Sequence, residues 1–511
     1  MKRLSLVSVS DKRGLEILVR GLSGLGFEIV STGGTARAIR SLGVPVLEVS
    51  EMTGTPEVLD GRVKTLHPRV FAAILADLDD AGHRAVLDDW GLTPISLVAV
   101  NLYPFAATAS RPSVQPHEVI ENIDIGGPSL VRAAAKNHRH VTVIVDPDDY
   151  GSVLEALRAG GPDEQFRRRL AVKAFRHTAA YDTAIAGMLP LHLGLEPSLL
   201  LEGVAPWLEA EELPLRYGEN PHQHAVFARP RDPRGLAAFT QLQGKELSFN
   251  NLMDADAAWR LAHDLPAPGV AIIKHGGPCG AGLGETAATA YVRALACDPI
   301  SAFGGVIASS QPIDEEAAAR IAELFAEVVV APEVSEGARK VFAGKKNLRV
   351  LLAPPPAGAR PRLRVIDGGL LVQTPDEGWD EEWRPVTDRA PTADESAALR
   401  LAWRVAKHAP SNAVVAASAT ATLGIGGGQP SRVDSCRIAV EKARAAGLSL
   451  AGSAAGSDAF FPFPDGVETL AAAGVTAVAQ PGGSLRDADV IGAANRLGLA
   501  MVFTGRRHFR H

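Results

Sequence analysis

The chain has 511 residues, and its 52 Lys+Arg against 58 Asp+Glu give a formal net charge of −6, which excludes a broadly basic nucleic-acid binder. Hydrophobic residues at 46% and charged residues at 22% suit a folded globular protein, and the length exceeds what one core organises, so two or three domains are expected. The 50 glycines and 35 prolines punctuate apolar runs without forming a low-complexity tract, which excludes disorder over most of the chain.

At the start, Lys2-Arg3 gives way to Asp11-Lys12 before any apolar h-region forms, so no signal peptide is expected. Residues 4–9 and 27–30 read as strands, while 14–25 and 35–42 carry apolar residues at helical spacing. Further strands at 97–101 and 141–145, with a helix over 129–136 between them, predict an α/β fold with a mostly parallel, helix-covered sheet. A long helical pattern over 165–189 leads into a stretch at 193–214 that mixes proline with acidic residues, which places a domain boundary at 199/200. Beyond it, strands mix with alanine-rich helices at 254–262, 286–296 and 315–326. The proline-rich 354–361 then precedes a second block with a helix over 432–446, so residues 200–511 are expected to split near 355–390 into two similar-sized halves, although no repeat in sequence identity is visible. No apolar run of ~18 residues is present to span a bilayer, and no membrane partner is expected. Cys279, Cys297 and Cys436 lack CxxC spacing, which fits a reducing compartment, with the cytoplasm the simplest home, and predicts neither a disulfide framework nor zinc.

Four segments of the first part carry candidate chemistry. Ser31-Thr32-Gly33-Gly34-Thr35 joins a strand to a helix, where free backbone N–H groups, hydroxyls and the helix N-terminus favour a phosphate, although such a joint is often only structural. Gly61-Arg62-Val63-Lys64-Thr65-Leu66-His67-Pro68 packs two cations, a hydroxyl and an imidazole into eight residues. Asn101-Leu102-Tyr103-Pro104-Phe105 closes a strand, where ligand sites of open sheets collect. Glu121-Asn122-Ile123-Asp124-Ile125-Gly126-Gly127-Pro128 opens a helix that bears Arg132 and Lys136 four residues apart.

Together with SVSDK and RAAAKN, these motifs resemble, in order over residues 3–190, the cyclohydrolase half of the bifunctional AICAR transformylase/IMP cyclohydrolase family of purine biosynthesis. The resemblance implies a methylglyoxal-synthase-like α/β domain in which Lys12 and Ser31 to Thr35 hold the 5′-phosphate, Arg62 and Thr65 bind substrate, and Lys64, Tyr103, Asp124 and Lys136 surround the closing ring. The sequence departs from the family after KTLHP, where Arg69-Val70-Phe71-Ala72-Ala73 stands in place of Lys-Ile-His-Gly-Gly. An aromatic and two Cβ atoms there predict a shifted backbone or a lost ligand contact beside Lys64.

In the second part, Lys274-His275-Gly276-Gly277-Pro278-Cys279 follows an apolar strand, and the two side chains can serve one site only if the strand breaks into a turn there. The Pro-Cys pair echoes the zinc-deaminase signature without its second cysteine. Glycine-bearing polar segments at 215–223, 243–251 and 298–305, with SNAVV, GIGGGQPSRVDS, SDAFFPF and RHFRH, resemble the transformylase half of the same family from about 213 to 511. The resemblance implies a pair of cytidine-deaminase-like subdomains without zinc, and active sites formed across a homodimer. It makes His275 the base that takes the amine proton, Lys274 the support for the oxyanion and Asn412 a positioning group. Arg216, Tyr217, Gly218, Asn251 and Arg507 hold the ribonucleotide, while Phe463 and Asp465 meet the folate. Gly277 and Pro464 depart from the family without removing a catalytic group. The small-molecule partners implied are AICAR, formyl-AICAR and the co-substrate 10-formyltetrahydrofolate, and no ATP is expected because GxxxxGK[ST] is absent. A transformylase that has lost its cyclohydrolase, and a non-catalytic purine-nucleotide sensor, stand as alternatives.

Overall fold

The computed structural model describes residues 3–59, 62–358, 360–378 and 383–511, so Gly61 of the cation motif and the first two residues lie outside the described residues. The chain divides into two compact units, Met1–Ala210 with Arg360–Pro375, and Glu211–Ala359 with Asp376–His511. Among the described residues no helix is long and apolar enough to cross a membrane.

In the first unit, β1 (Arg3–Val9), β2 (Phe27–Ser31), β3 (Leu47–Glu48), β4 (Ile95–Asn101) and β5 (Thr142–Ile144) form one sheet in the order β3-β2-β1-β4-β5, with every pair parallel. Leu6, Val7, Val98 and Ala99 are fully buried, the unbroken apolar pattern of strands covered on both faces. The helix Leu15–Gly24 turns Leu15, Leu18, Val19 and Leu22 inward at the i, i+3, i+4, i+7 spacing of one helical face. Only β3 has no counterpart in the sequence reading, because two residues are too few to show a period. The strand order reverses its winding between β1 and β4, and Val9 pairs with Asn101 at their carboxyl ends, which opens a crevice there.

The boundary expected at 199/200 meets folded chain on both sides. Ser198 caps the helix Leu199–Val204 by accepting from Leu201 N at 3.3 Å, and the first unit runs on to Ala210. The same unit takes in a segment from far along the chain, described below. Proline and acidic residues at 193–214 read as a connector, but here they include the helix Leu199–Val204, a helical turn over Ala205–Trp207 and a strand over Glu211–Pro214.

The second unit begins with the hairpin β6 (Glu211–Pro214) and β7 (Val226–Arg229). A six-stranded sheet follows, built from β8 (Thr240–Gln243), β9 (Gly269–Lys274), β10 (Gly277–Leu283), β11 (Val306–Ser309), β12 (Val328–Ala331) and β13 (Arg349–Leu352) in the order β10-β9-β11-β12-β13-β8. Next in the chain, β14 (Arg362–Ile366) and β15 (Gly369–Gln373) make a hairpin that belongs to the first unit. Its Leu363 lies so close to Gly203 that a Cβ there would stand 2.9 Å from Cδ2. The chain then returns to the second unit for β16 (Arg384–Pro385), β17 (Val414–Ala417), β18 (Thr422–Gly426), β19 (Ala454–Ser457), β20 (Ala477–Gln480) and β21 (Ala500–Phe503), ordered β16-β21-β20-β19-β17-β18.

These two sheets are one topology built twice. In each, an edge strand and a 16-residue helix (Phe249–Asp264, Ala393–His408) precede an antiparallel hairpin, and three parallel strands alternate with helices before closing against the first strand. The shared requirement is backbone proximity. A Cβ on Gly280 or Gly282 would fall 2.0 or 2.4 Å from carbonyl oxygens of Ala294 or Ala290, and on Gly424 or Gly426 2.1 or 1.9 Å from those of Ala439 or Ser435. The repeats join edge to edge, where Thr422 Oγ1 accepts from Ala281 N at 2.9 Å.

Candidate active sites

The first site gathers at the crevice beside β1 and β4. Asn101 stitches it, its Oδ1 accepting from Ser10 N and Asp11 N at 2.6 and 2.8 Å while Nδ2 donates to Asp11 O at 3.1 Å. The helix Gly33–Ser41 starts here with Thr32 as N-cap; Thr35 N and Ala36 N both donate to Thr32 O at 3.1 Å, so the N–H groups of Gly33 and Gly34 are the ones left for an anion. Gly33 has φ 44, and a Cβ on it would stand 3.3 Å from Lys64 Nζ, so glycine lets the ammonium come close to the loop. Lys12 Nζ lies 3.3 Å from Thr35 Oγ1 and also donates to Val9 O; burial lowers its pKa against the opposing pull of Asp11.

The hydroxyls of this loop are less free than the motif suggests. Ser31 is fully buried and donates to Val7 O at 2.6 Å, because it is still part of β2, and Thr35 Oγ1 donates to Val9 O at 3.0 Å. The backbone and Lys12 are therefore the better anion donors. Arg62 is exposed and paired with Glu121, while Thr65 is buried beside Gly126, where a Cβ would meet Thr65 Oγ1 at 2.9 Å.

Asp124 stands at the start of the helix Gly126–Lys136, its Oδ1 accepting from Gly127 N at 2.7 Å. Burial raises its pKa, opposed by the backbone N–H donors of Gly127 and Tyr103. Burial likewise raises the Tyr103 phenol, helped by the charges of Asp124 and Glu57. Glu57 in turn lies 3.7 Å from Lys64 Nζ, which links Lys64, Tyr103 and Asp124 into one constellation. Lys136 does not join it. It ends the same 11-residue helix, about 15 Å along the axis, and lines a separate surface cavity of about 470 Å³ with Arg132, His138 and Phe175. The helix read from the sequence over 129–136 already set Asp124 and Lys136 at its opposite ends.

Phe71, Ala72 and Ala73 lie inside the helix Pro68–Leu75, capped by His67, whose Nδ1 accepts from Arg69 N at 3.2 Å. Phe71 packs against the core and Ala73 is buried, so these side chains fill the domain interior and do not occupy a loop that must approach a ligand.

The second site is built on the tip of the β9–β10 hairpin. Lys274 Nζ donates to Phe303 O at 2.6 Å, and His275 takes a left-handed φ of 52, so the strand ends at Lys274 in the turn that a site shared by both residues requires. Asp254 holds this turn, its Oδ2 and Oδ1 accepting from His275 N and Gly276 N at 3.1 and 2.7 Å. Nearby, Asn251 completes the helix cap with Ser248 and donates to Glu327 Oε2 at 2.8 Å, and Glu327 lies 3.7 Å from Arg349. Burial lowers the Arg349 pKa, with Glu327 raising it and Arg216 lowering it, which places Arg216 and Tyr217 beside this cluster. The Arg216 guanidinium lies over the Tyr217 ring at 4.7 Å, and Gly218 N donates to Gln223 O at 2.8 Å.

The other repeat meets the hairpin tip through Pro410, whose Cδ would lie 3.9 Å from a Cβ on Gly277. Asn412 follows, its amide donating to Gln429 O and Pro430 O at 2.8 and 3.1 Å and its Oδ1 accepting from Arg432 at 2.7 Å. Arg432 is buried against the fully buried Asp458 and Ser457, a group the motif GQPSRVDS contained without showing which residue mattered. Phe463 lies under Arg486 at 4.9 Å, Asp465 opens the helix Asp465–Ala472, and Arg507 covers Phe509 at 4.7 Å. Among the described residues no hydrogen bond or ring contact ties these three to Lys274 or His275. All three cysteines are buried, which pushes each thiol up to about 12 and leaves it a poor nucleophile or metal ligand.

Two family profiles match the chain: an MGS-like domain over residues 14–129 and the AICARFT/IMPCHase bienzyme over residues 134–442. Bifunctional purine biosynthesis protein PurH of Desulfitobacterium hafniense is 51% identical over 527 residues, covering 100% of both chains. The protein of the same name from Chloroflexus aurantiacus is 52% identical over 514 residues, covering 99% of this chain and 98% of its own, and that of Parvibaculum lavamentivorans is 50% identical, covering 100% and 97%. With a methylglyoxal-synthase-like first domain and similarity over its whole length, the chain belongs to the AICARFT/IMPCHase family of bifunctional purine-biosynthesis enzymes.

Proposed function

We propose that the chain transfers a formyl group from 10-formyltetrahydrofolate to AICAR and then closes the formyl-AICAR product to IMP with loss of water, the first step on the second unit and the other on the first. What supports this reading most is that each unit carries its own reactive constellation, Lys274-His275 in one and Lys64-Tyr103-Asp124 in the other. The duplicated six-stranded sheets fit the cytidine-deaminase-like subdomains that the family resemblance implies.

In formyl transfer the substrate amine attacks the formyl carbon. His275 takes the amine proton as the C–N bond forms, and the Lys274 ammonium stabilises the oxyanion. Collapse expels the folate nitrogen, which leaves with a proton. Arg216, Tyr217 and Asn251 are assigned to the ribonucleotide with Arg507, Asn412 to positioning through Arg432, and Phe463 and Asp465 to the folate.

In ring closure the carboxamide nitrogen attacks the formyl carbon and a proton must move to the departing water. A carboxyl whose pKa burial has raised is suited to carry that proton, which assigns it to Asp124, while Lys64 and Tyr103 meet the oxyanion. The N-terminus of the helix Gly33–Ser41 and Lys12 hold the phosphate. No step is assigned to Lys136 within one chain. A homodimer, also part of this reading, is the arrangement that lets a group at the far end of a helix serve another chain's site.

The test is a coupled assay with AICAR and 10-formyltetrahydrofolate in which formyl-AICAR and IMP are both measured. Formation of IMP supports both steps. Accumulation of formyl-AICAR without IMP leaves a transformylase alone.

A further inference from the structure

We propose that Asp254 is a positioning residue for formyl transfer: its carboxylate grips the backbone of the turn that presents Lys274 and His275. This rests on the assignment of His275 as the base, and it adds a residue to which that assignment gave no role.

The hairpin tip is a costly conformation. His275 is one of three described non-glycine residues with positive φ, a region that a side chain with a Cβ rarely adopts. Left alone, the tip would relax toward extended backbone, in which adjacent side chains point to opposite faces. The imidazole makes no hydrogen bond among the described residues, so the ring's place is set by the backbone that carries it. Both N–H groups at the tip, His275 N and Gly276 N, donate to the two oxygens of one carboxylate.

Asp254 is itself held on a firm base. It sits on the helix Phe249–Asp264, whose start is fixed by the reciprocal Ser248–Asn251 cap and whose Ala255, Ala258 and Trp259 are buried beneath the sheet. The other repeat supplies a control within the same chain. The tip of its β17–β18 hairpin is held by backbone and hydroxyl groups, Ser418 Oγ accepting from Ala421 N at 3.1 Å and Thr420 N at 3.3 Å while Thr420 O accepts from Leu283 N at 2.8 Å, with no positive φ at its non-glycine residues. A carboxylate reaching in from a helix is thus used at the tip that carries Lys and His and not at its topological counterpart.

The experiment uses the full chain and three variants: Asp254→Asn, His275→Ala and the two combined. Asp254→Asn puts an amide nitrogen opposite one of the two N–H donors. It is expected to lower kcat for formyl transfer by ~10²-fold, the scale of a displaced catalytic group, with KM for AICAR within about threefold. Cyclisation of supplied formyl-AICAR should be unchanged. Because Asp254 acts through His275, the double variant should be no more than about threefold slower than His275→Ala alone. An Asn variant with near wild-type kcat, or losses that multiply in the double variant, would overturn the proposal while His275→Ala remains slow. A fast His275→Ala variant would instead sink the base assignment, and the clamp with it. If Asp254→Asn does not fold, Asp254→Glu keeps both acceptors on a longer arm. It should lose about tenfold in kcat with the same non-additivity, and additive losses there overturn the proposal equally.

Discussion

At the scale of single residues, the position of Asp124 shows how an acid is set from outside its own motif. Tyr181, on the long helix Glu164–His192, accepts from Asp124 N at 2.8 Å and donates to Asn122 O at 3.1 Å, so one phenol ties both ends of the loop. Burial pushes its pKa up to about 12, so it stays protonated and a donor throughout the neutral range. Tyr181→Phe should lower stability by ~1–2 kcal/mol, the size of a lost buried hydrogen bond, and slow ring closure by about tenfold while formyl transfer is unaffected. Parallel assays of the two steps decide it, and equal losses in both would mean that Tyr181 serves the fold in general. The contrast between Ser31 and Asn101 shows what the sequence could reveal at this scale. The STGGT loop was legible because strand, glycines and helix start are contiguous, but the Ser31 hydroxyl turned inward to Val7, a matter of where β2 ends. Asn101 binds backbone 90 and 91 positions away, and no local pattern announces such a partner.

At the scale of elements, the departure at Phe71-Ala72-Ala73 is answered by its place in a helix. Alanine favours a helix interior by about 1 kcal/mol over glycine, so restoring the family's residues works against this element. Phe71→His with Ala72→Gly and Ala73→Gly should therefore cost ~2 kcal/mol or more in thermal unfolding, while single-turnover ring closure changes by less than tenfold. A large gain in rate would show that the departure had cost the site its backbone approach. The helix Ala393–His408 offers a pH test of a cap. Thr392 and Glu395 cap it reciprocally, and Glu395 also takes two hydrogen bonds from Arg389 at 2.7 and 2.9 Å. The Arg389 hydrogen bonds come first among the causes that hold the Glu395 carboxyl at about 2 rather than 4.5. A folded-state pKa below the unfolded one stabilises above the unfolded value, and that stability is lost as pH falls through the window from 4.5 to about 2. Glu395→Gln should destabilise the second unit at pH 7 and approach the wild type at pH 2 to 3. A difference that stays constant from pH 7 to 3 would show that charge plays no part in the cap.

At the scale of the whole molecule, the parallel sheet of the first unit was legible because strands such as 97–101 open on unbroken apolar runs, here 97–100, between helical periods. The split of the second unit into two halves was expected, but its duplication was not legible as sequence identity, since what the two copies share is helix-on-strand approach at Gly280, Gly282, Gly424 and Gly426. Equally hidden was the β14–β15 hairpin, which sits in the sequence between the two repeats yet belongs to the first unit. Local composition cannot say which body a returning segment joins. Its placement changes what a fragment should contain. Among the described residues the main core cluster of the first unit runs from Leu4 to Ala174 and is drawn from that unit alone, so residues 1–210 should fold and close formyl-AICAR without folate. That fragment lacks the cover that Leu363 gives Gly203, and ending it at 199 also removes the helix Leu199–Val204. Three proteins are to be compared by thermal unfolding and ring-closure rate: 1–199, 1–210, and 1–210 joined by a flexible linker to 360–375. Stability should rise in that order, with the rate of the last within a few-fold of the full chain. A folded 1–210 fragment without cyclohydrolase activity, beside an active full chain, would show that ring closure needs the second unit. Equal stability of all three would show that the hairpin rests on the first unit without supporting it.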